Sequence, residues 1–74
     1  MQANDKPVWH SAIPTRCDLD AHEITTVFYD AKTVMGPWGN LCPACFKQYG
    51  VGLGTGKGQE YTLQDNGRYL KTGG

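Results

Sequence analysis

Cys17-Asp18-Leu19-Asp20-Ala21-His22 and Cys42-Pro43-Ala44-Cys45-Phe46-Lys47-Gln48-Tyr49-Gly50 are the stretches whose reading decides how this chain folds. Two cysteines separated by two residues bend onto one metal ion without strain, and zinc takes four tetrahedral donors of the thiolate, imidazole or carboxylate kind. Cys17, Cys42 and Cys45 supply three such donors. For the fourth, His22 is the preferred residue, because imidazole competes better than carboxylate for zinc beside thiolates at neutral pH. Asp20 is the alternative, at the Cys-x2-Asp spacing a knuckle favours, and His10 is a more distant one. Two other readings of the cysteines carry less: small buried hydrophobes, or a redox dithiol, which needs a βαβ pattern that this sequence does not show.

Working outward, the length supports the metal reading. A 74-residue chain buries little apolar surface against the entropy of ordering its backbone, so domains of this size rely on disulfides, a metal or a partner. Three cysteines cannot all pair, and an odd count with a Cys-x2-Cys pair points to metal ligation in a reducing cytoplasm. The first residues, Met1 to Pro7, show neither the basic start nor the apolar stretch of a secretory signal. Mean hydropathy is −0.49, and no apolar run approaches the roughly 20 residues that cross a bilayer. The expectation is a soluble cytoplasmic protein without a membrane partner.

The formal net charge is zero, which offers no broad basic field for nucleic acid. The distribution is uneven, since residues 1–45 carry net −2 and residues 46–74 net +2. Thiolates and one divalent ion would deepen the negative half.

The chain divides into an extended lead (1–16), a zinc core with a glycine-rich loop (17–58) and a closing hairpin with its tail (59–74), all in one domain. In the lead, Pro7 and Pro14 leave room only for a short edge strand around Val8 to Ala12, with Trp9 and Ile13 packing on the core. The β-branched and aromatic run Glu23 to Tyr29 predicts a strand that turns at Asp30-Ala31-Lys32 and returns through Thr33-Val34-Met35, interrupted by Gly36-Pro37. Cys42 to Gly50 predicts a short helix with Pro43 in its first turn and Gly50 left-handed past its end. Asn66-Gly67 predicts a two-residue type I′ turn, with Leu63 opposite Leu70 and Tyr61 opposite Thr72, as a locally specified addition to the metal core.

Gly50 to Gly58 holds a glycine at every second position. It departs from a Walker A loop, with Val51 at the first glycine position and Gly58 where Ser or Thr belongs. The preferred reading is a backbone wrap with Val51 and Leu53 turned inward; a phosphate cradle using Lys57 is the alternative. Trp38 is expected in the core, with base stacking or insertion into a partner as the other reading. No serine is placed for a triad, and four protein ligands leave a zinc ion no open position, so the chain is read as non-enzymatic.

Phe28-Tyr29-Asp30-Ala31-Lys32-Thr33, Gly36-Pro37-Trp38-Gly39-Asn40-Leu41-Cys42-Pro43-Ala44-Cys45-Phe46 and Tyr49-Gly50-Val51-Gly52-Leu53-Gly54-Thr55-Gly56-Lys57-Gly58-Gln59-Glu60-Tyr61 resemble the shared core of small, mostly uncharacterised zinc-finger proteins encoded by tailed bacteriophages. Members of that family carry a Cys or His near position 20, where this chain has Asp20 and His22. The resemblance implies one metal site and a phage origin. Together the readings predict a small α+β zinc-stapled domain, treble-clef-like (knuckle, β-hairpin, short helix), with a C-terminal hairpin. The expected role is a binding module docking onto a host or phage protein inside an infected bacterium. The second reading is a zinc finger that binds nucleic acid through Lys47, Lys57, Arg68 and Lys71.

Overall fold

The computed structural model describes Val8, Trp9 and residues 12–74. Strand β1 (Val27–Lys32), strand β2 (Trp38–Leu41), helix α1 (Pro43–Tyr49), strand β3 (Gly58–Leu63) and strand β4 (Tyr69–Gly73) follow in chain order. All four strands form one antiparallel sheet in the order β2-β1-β3-β4. The fold is therefore α+β, with one short helix.

Strand alternation splits the sheet into two faces, and β1 serves both. On the helix side, Tyr29 lies opposite Leu41 and Glu60, and Ala31 lies between Gly39 and Gly58. Ala31 and Leu41 are fully buried there and pack with Cys17, Cys42 and Cys45. In the small row Gly39-Ala31-Gly58 glycine is obligatory at position 58, since a Cβ on Gly58 would stand 2.7 Å from that of Ala31. On the other side, fully buried Phe28 pairs with Tyr61 and packs with Ile24, Tyr69 and Trp9.

The first hairpin turns later than the sequence suggests. Asp30, Ala31 and Lys32 continue β1, and the reversal lies between Thr33 and Pro37. Thr33 N–H and its hydroxyl both donate to the Pro37 carbonyl, at 3.0 and 2.8 Å, and Gly36 adopts φ +110°. A tight reversal needs that left-handed residue, and Asp30-Ala31-Lys32 has no glycine to supply it. Pro37 stands just before β2, which is an edge strand, where the missing N–H costs no ladder bond.

The closing hairpin differs by one residue from the predicted register. Leu63 faces Tyr69, Thr62 faces Leu70 and Tyr61 faces Lys71, with an irregularity at Glu60/Tyr61. Gln64 N–H bonds to Arg68 O and Gly67 N–H to Gln64 O, so three residues form the loop. A type I′ turn needs positive φ at both central residues. Only Gly67 has it, at +81°, whereas Asn66 uses its side-chain oxygen to accept from Arg68 N–H. The one-residue shift turns Tyr69, rather than Leu70, toward Phe28. Strand β3 also lies between β1 and β4, so this hairpin forms the middle and one edge of the shared sheet.

In the lead, Val8 bridges Leu70, and Trp9 N–H donates to Tyr69 O. The strand expected around Val8 to Ala12 extends over His10 and Ser11, outside the described residues. Trp9 packs as expected, but Ile13 is exposed and Ile24 takes the buried place.

Candidate metal centre

The first half of the centre is a tight turn after Cys17. Cys17 N–H donates to His22 O, Ala21 N–H donates to Cys17 O, and Arg16 bridges Glu23, which closes the loop on itself. Ala21 takes φ +61°, the one non-glycine residue with positive φ among those described. The turn is fastened to β2 by Asp18, whose N–H donates to Asn40 O at 3.0 Å while its carboxylate accepts Asn40 N–H at 2.8 Å.

The second half is the start of α1. Cys42 is the N-cap, Pro43 begins the first turn, and the Cys42 sulfur accepts Cys45 N–H at 3.5 Å. The Cys17 sulfur accepts Leu19 N–H at the same distance, so each half aims a backbone amide at a sulfur. The helix ends at Gly50 in extended rather than left-handed geometry, with φ −71° and ψ 150°. Glycine is needed there for space, since a Cβ would stand 2.5 Å from the Phe46 ring. Phe46 in turn stacks on Tyr29 at 4.0 Å between ring centres, which holds the helix on β1.

Together the two halves bring Cys17, Asp20, Cys42 and Cys45 close enough that one donor atom from each lies within 4.8 Å of every other. The three cysteines are buried and unpaired. Asp20 forms the outer side, its side chain 31% accessible. Its Oδ2 accepts from the Cys45 thiol at 3.0 Å, and the Cys42 sulfur is 3.8 Å away.

His22, preferred from sequence as the fourth donor, is not in this group. Its Nδ1 lies 2.5 Å from Asp20 Oδ2, and its backbone N–H donates to Asp20 Oδ1 at 3.0 Å. The physical reason is reach. With two intervening residues Asp20 turns back over the sulfurs, whereas His22 has already left the turn, and 74% of its side chain is accessible. His10, the remaining alternative, lies outside the described residues.

The electrostatics agree with this placement. Hydrogen bonds from the His22 side chain, then from the Cys45 thiol and the His22 amide, hold the Asp20 carboxyl well below the usual carboxylate range. The Cys45 thiol is pushed up, first by burial and then by its hydrogen bond to Asp20. The Cys45 thiol proton thus points at an oxygen of the Asp20 carboxylate. A divalent ion would take the place of that proton and neutralise the donors collectively, and three thiols with one carboxylate are a donor set suited to tetrahedral zinc.

Outside the centre, other expectations fall differently. Val51 and Leu53 are exposed instead of turned inward. The glycine loop is held at its ends, with Val51 N–H donating to Lys32 O and Lys32 N–H to Lys57 O, while Gly52, Gly54 and Gly56 take positive φ. Trp38 is 48% accessible, so it is not a core residue. It borders an open groove of about 210 Å³ with Leu19, Met35, Pro37 and Thr33. Lys47 lies on α1, Lys57 in the glycine loop, Arg68 beside the hairpin turn and Lys71 on β4. No described helix is long and apolar enough to cross a membrane.

Neither protein-family models, nor curated proteins, nor solved structures provided a match to this chain.

Proposed function

We propose that this chain is a non-enzymatic binding module whose fold is stapled by one zinc ion, with Cys17, Asp20, Cys42 and Cys45 as the ligands. The observation that carries the reading is the convergence of those four donors from two separate turns onto one point. Zinc is favoured by the thiolate-rich donor set. The role is structural because four protein ligands complete a tetrahedron. The order of parts, a ligand-bearing turn, a β-hairpin and a helix carrying the second pair at its start, is that of a treble clef. Native mass spectrometry is expected to show one zinc per chain, and cobalt substitution to give the absorption of a tetrahedral site with three sulfurs. A chain that binds no metal while keeping its fold would overturn the proposal.

Docking onto a host or phage protein is the activity we infer for the module, in line with the resemblance drawn from its sequence. Support comes from Met35 and Trp38, apolar yet exposed beside the groove. An apolar protein contact changes little with added salt, whereas phosphate contacts weaken steeply, by a slope of about one per contact. A steep salt dependence would transfer the role to nucleic acid and the scattered lysines.

A further inference from the structure

We propose that His22 is the positioning residue of the metal centre, the outer partner that holds the Asp20 carboxylate in ligating orientation. This inference rests on the metal reading above and goes beyond it by assigning a role to a side chain outside the four donors.

His22 meets Asp20 twice and Cys17 once. Its backbone N–H reaches Oδ1, its Nδ1 reaches Oδ2, and its carbonyl accepts Cys17 N–H at 2.8 Å. A carboxylate on a short side chain has two torsions to fix, and two donors on its two oxygens fix both. Oδ2, the atom bound to the imidazole, is also the atom nearest the Cys45 sulfur. The carboxylate oxygen facing the sulfurs is therefore the one His22 orients. Opposite an ionised carboxylate the imidazole nitrogen is the donor, so Nδ1 carries the proton. Metal-bound carboxylates and imidazoles are routinely held by such outer hydrogen bonds, and loss of one costs about 10–100-fold in metal affinity.

The fold provides no competing explanation for this imidazole. Its side chain is largely solvent-accessible and contributes to neither buried cluster. Removing it leaves the turn's backbone bonds in place, so a variant lacking the ring is expected to fold.

The test is cobalt(II) binding to the full chain, measured by competition with a chelator of known affinity. Wild type is compared with His22→Ala, His22→Asn and Asp20→Ala, and folding is checked by circular dichroism. The expected result for His22→Ala is cobalt bands at unchanged wavelengths with affinity about 10–100-fold weaker. His22→Asn, whose side-chain amide can donate to the same oxygen, is expected to recover at least half of that loss on a logarithmic scale. Asp20→Ala is expected to move the bands. If His22→Ala moves the bands and Asp20→Ala does not, His22 is itself a ligand and the proposal fails. Unchanged affinity in His22→Ala would make the imidazole a bystander. If wild type binds no cobalt, the metal reading fails first and this inference with it, a result distinct from either of the others.

Discussion

On the helix side of β1, Ala31 sits between two glycines, and its neighbours are cysteines from two separate turns. On the opposite side, Phe28 is enclosed by Trp9, Tyr61 and Tyr69, with ring centres 5.1, 5.3 and 5.0 Å away. The first half-core joins Ala31, Leu41 and three cysteine sulfurs to the stacked rings of Tyr29 and Phe46, and under the zinc proposal its cohesion would depend on an ion. The second buries large rings and needs no ion, since aromatic pairs add about 0.5–1.5 kcal/mol each beyond the area they bury. Phe28 and Tyr29 are adjacent in sequence and point to opposite faces, so the two halves have one strand in common. That strand makes two small cores behave as one domain.

The largest effect expected is on removing the metal. Structural zinc contributes on the order of 10 kcal/mol at neutral pH, comparable to the whole stability of a small domain. Chelation is therefore expected to unfold both halves together. Far-ultraviolet circular dichroism reports the sheet and helix, and Trp9 fluorescence reports the aromatic half in a Trp38→Phe background. Coincident titration curves are expected; an aromatic half that outlives the metal half would separate the two cores.

Next in size is Phe28→Ala. The ring is fully buried, and its loss should cost about 3–5 kcal/mol. With zinc in excess the variant should still fold, at a lower melting temperature, and its apparent zinc affinity should fall by linkage to folding. An unchanged melting temperature would show that the metal half alone carries the stability.

Much of this contrast is legible in the sequence. Cys17, Cys42 and Cys45 are a spacing signal, and Pro43 marks the helix start because its missing N–H is harmless there. The fourth donor is harder to read. Chemical preference favours His22, but the path of a four-residue turn decides which side chain faces the sulfurs, and that path brings Asp20. Asn66-Gly67 has the same ambiguity, because it suits a two-residue turn and also a three-residue loop with Gly67 left-handed. The choice is made by the burial of Tyr69 on the far face, a tertiary demand with no local signal. Trp38 looks like core by residue type, yet it lies on an edge strand and remains exposed.

The response to pH should have opposite signs with and without metal. In the metal-free protein the Cys45 thiol is raised above its ordinary value of 9.0. A raised folded-state pKa lends stability that is complete below the unfolded value and lost as the pH climbs past it. The metal-free chain, driven to fold by an osmolyte and followed by circular dichroism, should thus weaken from about pH 9 upward, by at most about 1.4 kcal/mol per pH unit for one thiol. The zinc-bound form requires thiolates and should weaken as the pH falls. Parallel slopes would break the assignment of Cys45 to the metal half.

The smallest effect expected is a gain. Ala21 holds φ +61°, a conformation that costs an L-residue about 1 kcal/mol and glycine almost nothing. Ala21→Gly should raise stability by at most about 1 kcal/mol, less the entropy of a freer unfolded chain, and the effect should appear with zinc bound, when the turn is fixed. Destabilisation would show that the Ala21 methyl packs usefully.

The clasp between Asp18 and Asn40 has a consequence for self-association. Strand β2 is an edge, and the N–H and C=O of Asn40 that face outward are occupied by Asp18. At the other edge, Val8 bridges Leu70 in the same manner. Unsatisfied edge strands recruit other chains, and proteins blunt them with covers of this kind. The cover on β2 belongs to the turn that holds Cys17 and Asp20, so under the zinc proposal loss of the ion is expected to loosen the guard on an edge flanked by exposed Met35 and Trp38. Zinc starvation should therefore appear as precipitation that accelerates with protein concentration, accompanying the unfolding expected on chelation.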